Sequence, residues 1–181
     1  MNRNNSFALL LCLAFAASAP ASVTYSYQGN NYTTFFGATC TSSCSVSGFF
    51  SVATALAPNL VDTNVSPTSF SFTDSAVTIT NSSSGLVINS FRVSTDSQGD
   101  IISAWGIDLR TATYQIFTHA GAQSPPALFA AVDGSYPVPY TGNQAYVSDS
   151  PGTWTTSTPE PGTAAFSVLA MAALGILRKW R

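Results

Sequence analysis

Cys40 and Cys44 are the residues in the middle of this 181-residue chain whose type and spacing most directly indicate chemistry. In an oxidising compartment such a pair forms a disulfide more often than a metal or redox site. Four residues of strand would hold the two Cα atoms about 13 Å apart, twice what a disulfide permits, so residues 41–43 must form a turn. The sequence therefore predicts a Cys40–Cys44 disulfide, which stabilises the fold by about 2 kcal/mol. No metal site is predicted, because zinc would need two more ligands and the chain has one histidine.

That histidine, His119, is the natural candidate for a general base. A hydrolase would also need a nucleophile and an orienting acid beside it. Serines are too numerous to point to a nucleophile, and no Gly-x-Ser-x-Gly elbow occurs. The one glutamate, Glu160, lies near the C-terminus, which leaves scattered aspartates for any glycosidase chemistry. The sequence therefore predicts no catalytic residue and a surface position for His119 on a strand; a secreted hydrolase remains an alternative.

Asp96, Gln98 and Asp100 alternate oxygen-bearing side chains around Gly99, as calcium-binding loops do. The distal ligands of such a loop, above all its bidentate glutamate, are missing. The same residues are typical of a hairpin turn between two strands. The sequence predicts the turn, and no cofactor.

Aromatic residues are concentrated near the start of the middle region: Tyr25, Tyr27, Tyr32, Phe35 and Phe36. Filling the core is the commoner role of such residues. An exposed planar row of rings would instead stack on sugars and indicate an extracellular carbohydrate-binding module. Their exposure distinguishes these two interpretations, and the sequence leaves both open.

Charge is scarce and unevenly distributed. Charged residues make up 8% of the chain. Between residues 22 and 158 there are two arginines, seven aspartates and no lysine, so the net charge is two minus seven, or −5. Because binding to phosphate backbones requires clustered Lys and Arg, nucleic acid is excluded as a partner.

The elements that must position these residues are strands. Alternating segments separated by turn residues occur at 23–27, 69–72, 76–80, 86–95, 101–109 and 113–119. In the fifth of these, Ile101, Trp105, Ile107 and Leu109 share one face. We therefore expect an all-β fold, a single antiparallel β-sandwich or small barrel of about seven to nine short strands.

The β domain is predicted to span residues 22–150. Within it, the Pro- and Gly-rich region 121–142 is expected to be a long loop or edge with little regular structure. Residues 151–158 are predicted to be a linker.

The N-terminus has the three parts of a secretory signal peptide. Arg3 lies near the start, residues 7–17 are an apolar run, and an Ala-x-Ala pattern ends at Ala21. Roughly eleven apolar residues are too few to span a bilayer, which needs about 20. Residues 1–21 are therefore predicted to be a signal helix, with cleavage before Ser22; an overlapping site two residues earlier would place a proline directly after the cut.

The C-terminus also has three parts in fixed order. A Pro-Glu-Pro motif comes first, an uncharged apolar segment follows at 163–177, and a basic cluster ends the chain: Pro159, Glu160, Pro161; then Arg178, Lys179, Arg181. As a helix, the apolar segment would be about 22 Å long, short of the roughly 30 Å hydrocarbon core. Such a segment holds a chain in the membrane only marginally.

This arrangement resembles the PEP-CTERM sorting signal of Gram-negative bacteria. In that family a membrane-embedded cysteine peptidase, exosortase, recognises and processes the tail during export. The resemblance implies that Pro159, Glu160 and Pro161 form the recognition motif and that the apolar helix and basic cluster are removed. A single-span tail anchor is the alternative for residues 159–181.

The resemblance also implies the partners and the destination. The partners are the general secretion machinery and exosortase, with transient contact with the inner membrane. The mature protein is expected at the cell surface or outside the cell, in association with exopolysaccharide and biofilm matrix. The sequence thus favours a non-enzymatic exported β domain, with a secreted carbohydrate-binding module as the alternative.

Overall fold

The computed structural model describes residues 22–37, 40, 42–121 and 131–158, except the side chains of 102 and 103. Residues Ser22–Ser157 form one compact unit. The predicted signal helix (1–21) and the sorting tail with its apolar helix (159–181) lie outside the described residues. Within the described ranges, no helix has the length and apolar character needed to cross a bilayer.

The described residues form twelve strands: β1 Val23–Gln28, β2 Thr34–Phe36, β3 Ser47–Val52, β4 Thr63–Asn64, β5 Ser69–Thr73, β6 Thr78–Thr80, β7 Val87–Thr95, β8 Ile101–Arg110, β9 Tyr114–Ala120, β10 Ala131–Pro137, β11 Gln144–Ser148 and β12 Thr153–Ser157. They make two sheets, one ordered β12-β1-β3-β5-β6 and the other β2-β11-β10-β9-β8-β7-β4. All of the strand pairings are antiparallel. The prediction of an all-β antiparallel fold is confirmed.

Period-two burial explains how the strands face the core. In β8 the side chains of Trp105, Ile107 and Leu109 are buried, whereas Arg110 is exposed. β1 shows the same alternation, with Tyr25 and Tyr27 buried between less buried neighbours. One face of each sheet therefore lies against the other sheet, as such alternation requires.

Aromatic rings join the two sheets in a sandwich-like core. Phe50 of β3 meets Phe91 of β7 edge-on, with ring centroids 5.1 Å apart. Tyr27 of β1 meets Trp105 of β8 edge-on at 5.5 Å. Burying each large apolar side chain contributes about 1.5–3 kcal/mol, so these contacts hold the two layers together.

The strand count differs from the expected seven to nine for a physical reason. β2, β4 and β6 have three residues or fewer, too short to show a period of two. β10 lies inside 121–142, which the sequence predicts as a loop. That prediction is wrong for 131–137, because β10 is held by backbone pairing to both β9 and β11 although it contains a glycine and ends in a proline.

Residues 151–158, predicted as a linker, include the edge strand β12. It pairs with β1 from Thr24–Ser157 to Gln28–Thr153. Four threonines and one serine make residues 151–158 resemble a polar spacer, but Trp154 packs on Tyr27 with ring centroids 4.9 Å apart. The folded unit therefore continues to Ser157.

Candidate functional site

A row of aromatic rings begins on the outward face of the seven-stranded sheet and ends in the segment between β10 and β11. It consists of His119, Phe117, Tyr136 and Tyr140, and is called the aromatic row below. Consecutive ring centroids are 5.9, 5.9 and 5.4 Å apart. Because Thr118 of β9 is buried in the core, its neighbours Phe117 and His119 must point to the opposite face.

Gly134 allows Phe117 to lie across the sheet. The two residues are direct partners in the β9–β10 register. A Cβ at position 134 would lie 2.6 Å from Cζ of Phe117 and 3.0 Å from Cβ of Tyr146. A side chain at position 134 would therefore displace the Phe117 ring, and an aromatic ring over a strand glycine is a known stabilising arrangement.

Exposure increases along the aromatic row. His119 is 5% exposed, Phe117 and Tyr136 are half-buried, and Tyr140 is 57% exposed. β9 is a central strand, so its side chains have neighbours on both sides. The Tyr136–Tyr140 end is thus the part that a ligand could reach.

A polar group flanks the aromatic row on β8. The Oδ1 atom of Asp108 accepts hydrogen bonds from Nε2 of Gln115 at 2.8 Å and from Nδ2 of Asn89 at 3.2 Å. Burial raises the pKa of Asp108, and the bond from Asn89 and the nearby His119 oppose that rise. The carboxylate and the two amides form a fixed hydrogen-bonding patch beside the rings.

A small pocket lies beside the exposed end of the aromatic row. Its volume is about 70 Å³, and its walls include Tyr114, Ser135, Tyr136, Pro137, Asn143 and Gln144. Tyr136 therefore belongs to both features. The pocket is far smaller than the roughly 300–1,000 Å³ of a site that encloses a small molecule.

Asp74, which is fully buried, orients two hydroxyls of that pocket. Its Oδ2 accepts hydrogen bonds from the hydroxyls of Tyr114 and Ser135, both at 2.6 Å. Its Oδ1 accepts from the backbone amides of Ala76 at 3.0 Å and Val77 at 2.8 Å, in the turn between β5 and β6. One carboxylate thus closes a hairpin turn and fixes the direction of two hydroxyl groups.

A second buried carboxyl, Asp133, belongs to the core rather than to the pocket. It accepts bonds from the Tyr27 hydroxyl at 2.9 and 2.8 Å and is also bonded to Thr118. The Thr118 hydroxyl accepts from Nε1 of Trp105 at 2.8 Å, and the Tyr27 hydroxyl accepts from the Gly152 amide at 2.9 Å. Burial raises the pKa of Asp133 to about 6, against these hydrogen bonds.

Cys40 and Cys44 are joined by a disulfide, with their Cα atoms 5.8 Å apart. Sγ of Cys40 lies 3.2 Å from the backbone carbonyl oxygen of Asp74. The loop that the sequence predicts is therefore packed against the turn that orients the pocket hydroxyls. Its role in the structure is to hold that end of the sandwich.

His119 lies on β9, but its predicted surface position is wrong. Its strand partners on either side are Gly106 and Val132, and Phe117 lies against it. Its electrostatic effect is on Asp108, whose pKa it lowers. The Phe117 ring and the neighbouring strands β8 and β10 lie beside His119, and a single-sequence pattern cannot reveal contacts between strands.

The predicted hairpin turn at 96–100 is present. Oδ1 of Asp96 accepts from the backbone amides of Gln98 at 2.8 Å and Asp100 at 2.9 Å, and Gly99 has a φ of 89°. This carboxylate is therefore engaged by the backbone of its own turn. Across the described ranges, no group of three or more His, Cys, Asp or Glu side chains is placed to hold a metal ion.

The early aromatic residues divide between core and surface. Tyr25, Tyr27 and Tyr32 are buried, whereas Phe35 and Phe36 are 38% and 51% exposed. Most of the predicted cluster thus fills the core. The exposed end of the aromatic row is made by other residues, Tyr136 and Tyr140.

The sorting residues predicted from the sequence lie outside the described residues: Pro159, Glu160, Pro161, Arg178, Lys179 and Arg181. The residues of the aromatic row and the pocket were not predicted as site residues. The sequence predicts a strand for Phe117 and a long loop or edge for Tyr136. The sequence signal for this face is the spacing of Gln115, Phe117 and His119, which occupy every second position and therefore share one face of their strand.

The arrangement displays the rings of Tyr136 and Tyr140 and the side-chain amides of Asn143 and Gln144. Such groups fit a ligand with both apolar C–H surfaces and hydroxyls. Neither a protein-family model, nor a characterised protein, nor a solved structure matches this chain.

Proposed function

We propose that the protein is an exported, non-enzymatic β domain that exosortase-type processing delivers to the cell surface or the extracellular matrix. The observation that carries the proposal is the order of segments in the sequence. A signal peptide precedes the domain, and Pro159-Glu160-Pro161, a short apolar segment and a basic cluster follow it. The general secretion machinery and exosortase are its partners during export, with transient contact with the inner membrane.

Two features of the described unit support this proposal. The compact unit ends at Ser157, before Pro159, so removal of the tail would leave the twelve strands of the described residues in place. The Cys40–Cys44 disulfide suits the oxidising environment outside the cytoplasm. Both features are compatible with removal of the tail from a folded domain.

The intact mass of the protein, recovered from the medium and from membranes of the native host, tests the proposal. We expect a chain that begins near Ser22 and ends between 159 and 162, with or without an added group. A matched variant, Pro159→Ala with Pro161→Ala, should keep residues 163–181. Recovery of wild-type protein that retains Arg181 in both fractions would contradict the proposal and favour a tail-anchored envelope protein.

A carbohydrate-binding module is the second candidate function, and the aromatic row favours it. Tyr140 is 57% exposed and meets the half-buried Tyr136 edge-on at 5.4 Å, so two tyrosine rings of different orientation are open to a sugar ligand. This function is compatible with export and gives the matrix association a physical basis.

A further inference from the structure

We propose that the Tyr136–Tyr140 end of the aromatic row and the adjoining pocket form a binding site for a neutral polysaccharide. The inference deepens the matrix association and rests on the proposed export, since only an exported domain meets such a polymer. It assigns the stacking surface, the hydrogen-bonding groups and the charge class of the ligand.

Tyr136 is the central contact because it lies in both the row and the pocket. Its ring is 5.9 Å from that of Phe117 and 5.4 Å, edge-on, from that of Tyr140. The faces of pyranose rings are apolar C–H surfaces, which pack on aromatic rings while their hydroxyls stay at the edge. Tyrosine suits this contact, because its ring is apolar and its hydroxyl reaches water or a partner.

The pocket supplies directional hydrogen bonding. Ser135 and Tyr114 donate their hydroxyl hydrogens to Asp74, so each oxygen turns lone pairs toward other neighbours. Ser135 is 1% exposed, and its oxygen also lies 3.4 Å from the Tyr32 hydroxyl and 3.3 Å from that of Tyr114, so these hydroxyls form the inner wall of the pocket rather than contacts for a sugar. The side-chain amides of Asn143 and Gln144 line the same pocket and both donate and accept.

Size indicates a polymer rather than a free sugar. A volume of about 70 Å³ admits one substituent, such as a hydroxymethyl group, and not a whole ring. The rest of the ligand must lie outside, across Tyr136 and Tyr140. A chain of several sugar units satisfies both conditions, because one unit anchors in the pocket while its neighbours stack on the row.

Charge selects a neutral polymer. The sequence between 22 and 158 has a net charge of −5 and no lysine. Near the row, the charged side chains of β8 are one carboxylate, Asp108, and one guanidinium, Arg110. Polysaccharides rich in carboxylates would meet net repulsion, whereas neutral glucans would not.

Binding of the full chain, purified in mild detergent, to laminarin and to hydroxyethyl cellulose tests the site. Isothermal titration with wild type, Tyr136→Ala and Tyr140→Ala gives the dissociation constants. We expect Tyr136→Ala to weaken binding to the better polymer by about tenfold or more, and Tyr140→Ala by roughly threefold to tenfold. Tyr136→Phe keeps the ring and should stay within about threefold of wild type.

Phe49→Ala is the matched control, because Phe49 is an exposed ring, 39% accessible, on the five-stranded sheet. It should bind as wild type does. The thermal midpoint of each variant checks folding, and the exposed Tyr140 keeps the test valid if Tyr136→Ala unfolds.

Three results would overturn the site: no binding of either polymer by wild type, equal losses in Tyr136→Ala and Phe49→Ala, or a change in self-association as the only effect of the row variants. The proposed export fails separately, because the mass of the mature protein does not depend on glycan binding. A processed protein that binds neither polymer would refute the site alone.

Discussion

At the scale of single residues, Asp133 shows how the core responds to pH. Its carboxyl lies between the sheets against the Tyr27 hydroxyl, and burial raises its pKa from 3.8 to about 6. Burial also raises the pKa of Tyr27, with the neighbouring Asp133 charge adding to it. The folded protein therefore favours the protonated carboxyl, and ionisation in the core opposes folding.

Stability should consequently fall as pH rises through the range between the two pKa values of Asp133. Below about pH 4 the carboxyl is protonated in both states and the stabilisation is complete; above about pH 6 it is lost. About two pH units at roughly 1.4 kcal/mol each give a loss of about 3 kcal/mol. Urea unfolding of wild type at pH 4 and pH 7 measures the difference.

Asp133→Asn should remove most of that pH dependence, because its amide does not ionise. Asp149→Asn is the control: Asp149 is exposed, and asparagine tolerates its φ of 54°. It should keep the wild-type difference between pH 4 and pH 7. An unchanged pH dependence in Asp133→Asn would show that another group is responsible.

At the scale of elements, β12 is the strand that completes the five-stranded sheet. Its Trp154 contacts rings from both sheets, with centroids 4.9 Å from Tyr27, 5.6 Å from Phe50 and 6.1 Å from Trp105. Nε1 of Trp154 is buried without a hydrogen-bond partner among the described residues. The side chain therefore contributes through packing rather than through its indole N–H.

Replacing Trp154 tests this account of β12. Trp154→Ala should lower the free energy of unfolding by about 3 kcal/mol, because it leaves a cavity among three rings. Trp154→Phe keeps a ring and removes an unsatisfied polar group, so its cost should be less than half of that. Chemical denaturation at fixed pH compares the two; equal losses would mean that the indole nitrogen matters.

The strands that sequence reasoning identified share one property, which is length with clear alternation. β7 and β8, of nine and ten residues, show buried and exposed faces in their letters alone. β10 and β12 do not, because one contains Asp133-Gly134-Ser135 and the other is rich in threonine. Their pairing depends on neighbouring strands distant in sequence, so tertiary contacts override a local pattern that is typical of loops.

At the scale of the whole molecule, the candidate site comes from chain segments far apart in sequence. Asp74 meets Tyr114 across 40 residues and Ser135 across 61. Each of these residues alone is typical of a turn or a strand. The sheet order brings β9 and β10 together, and the packing of the two sheets brings the β5–β6 turn against them. The fold class could therefore be predicted from the sequence, whereas the pocket could not.

The overall charge leads to a last prediction about ligand choice. The net charge between residues 22 and 158 is −5. A neutral glucan has no charge for salt to screen, so the affinity for it should not change between roughly 0.05 and 0.5 M salt. Alginate, a carboxylate polymer, should bind at least about tenfold more weakly at the lower salt, and screening should reduce that difference. Titrations of wild type with laminarin and alginate at both salt concentrations measure this. Tight alginate binding that weakens as salt is added would instead require a basic surface, which residues 22–158 with their two arginines do not supply.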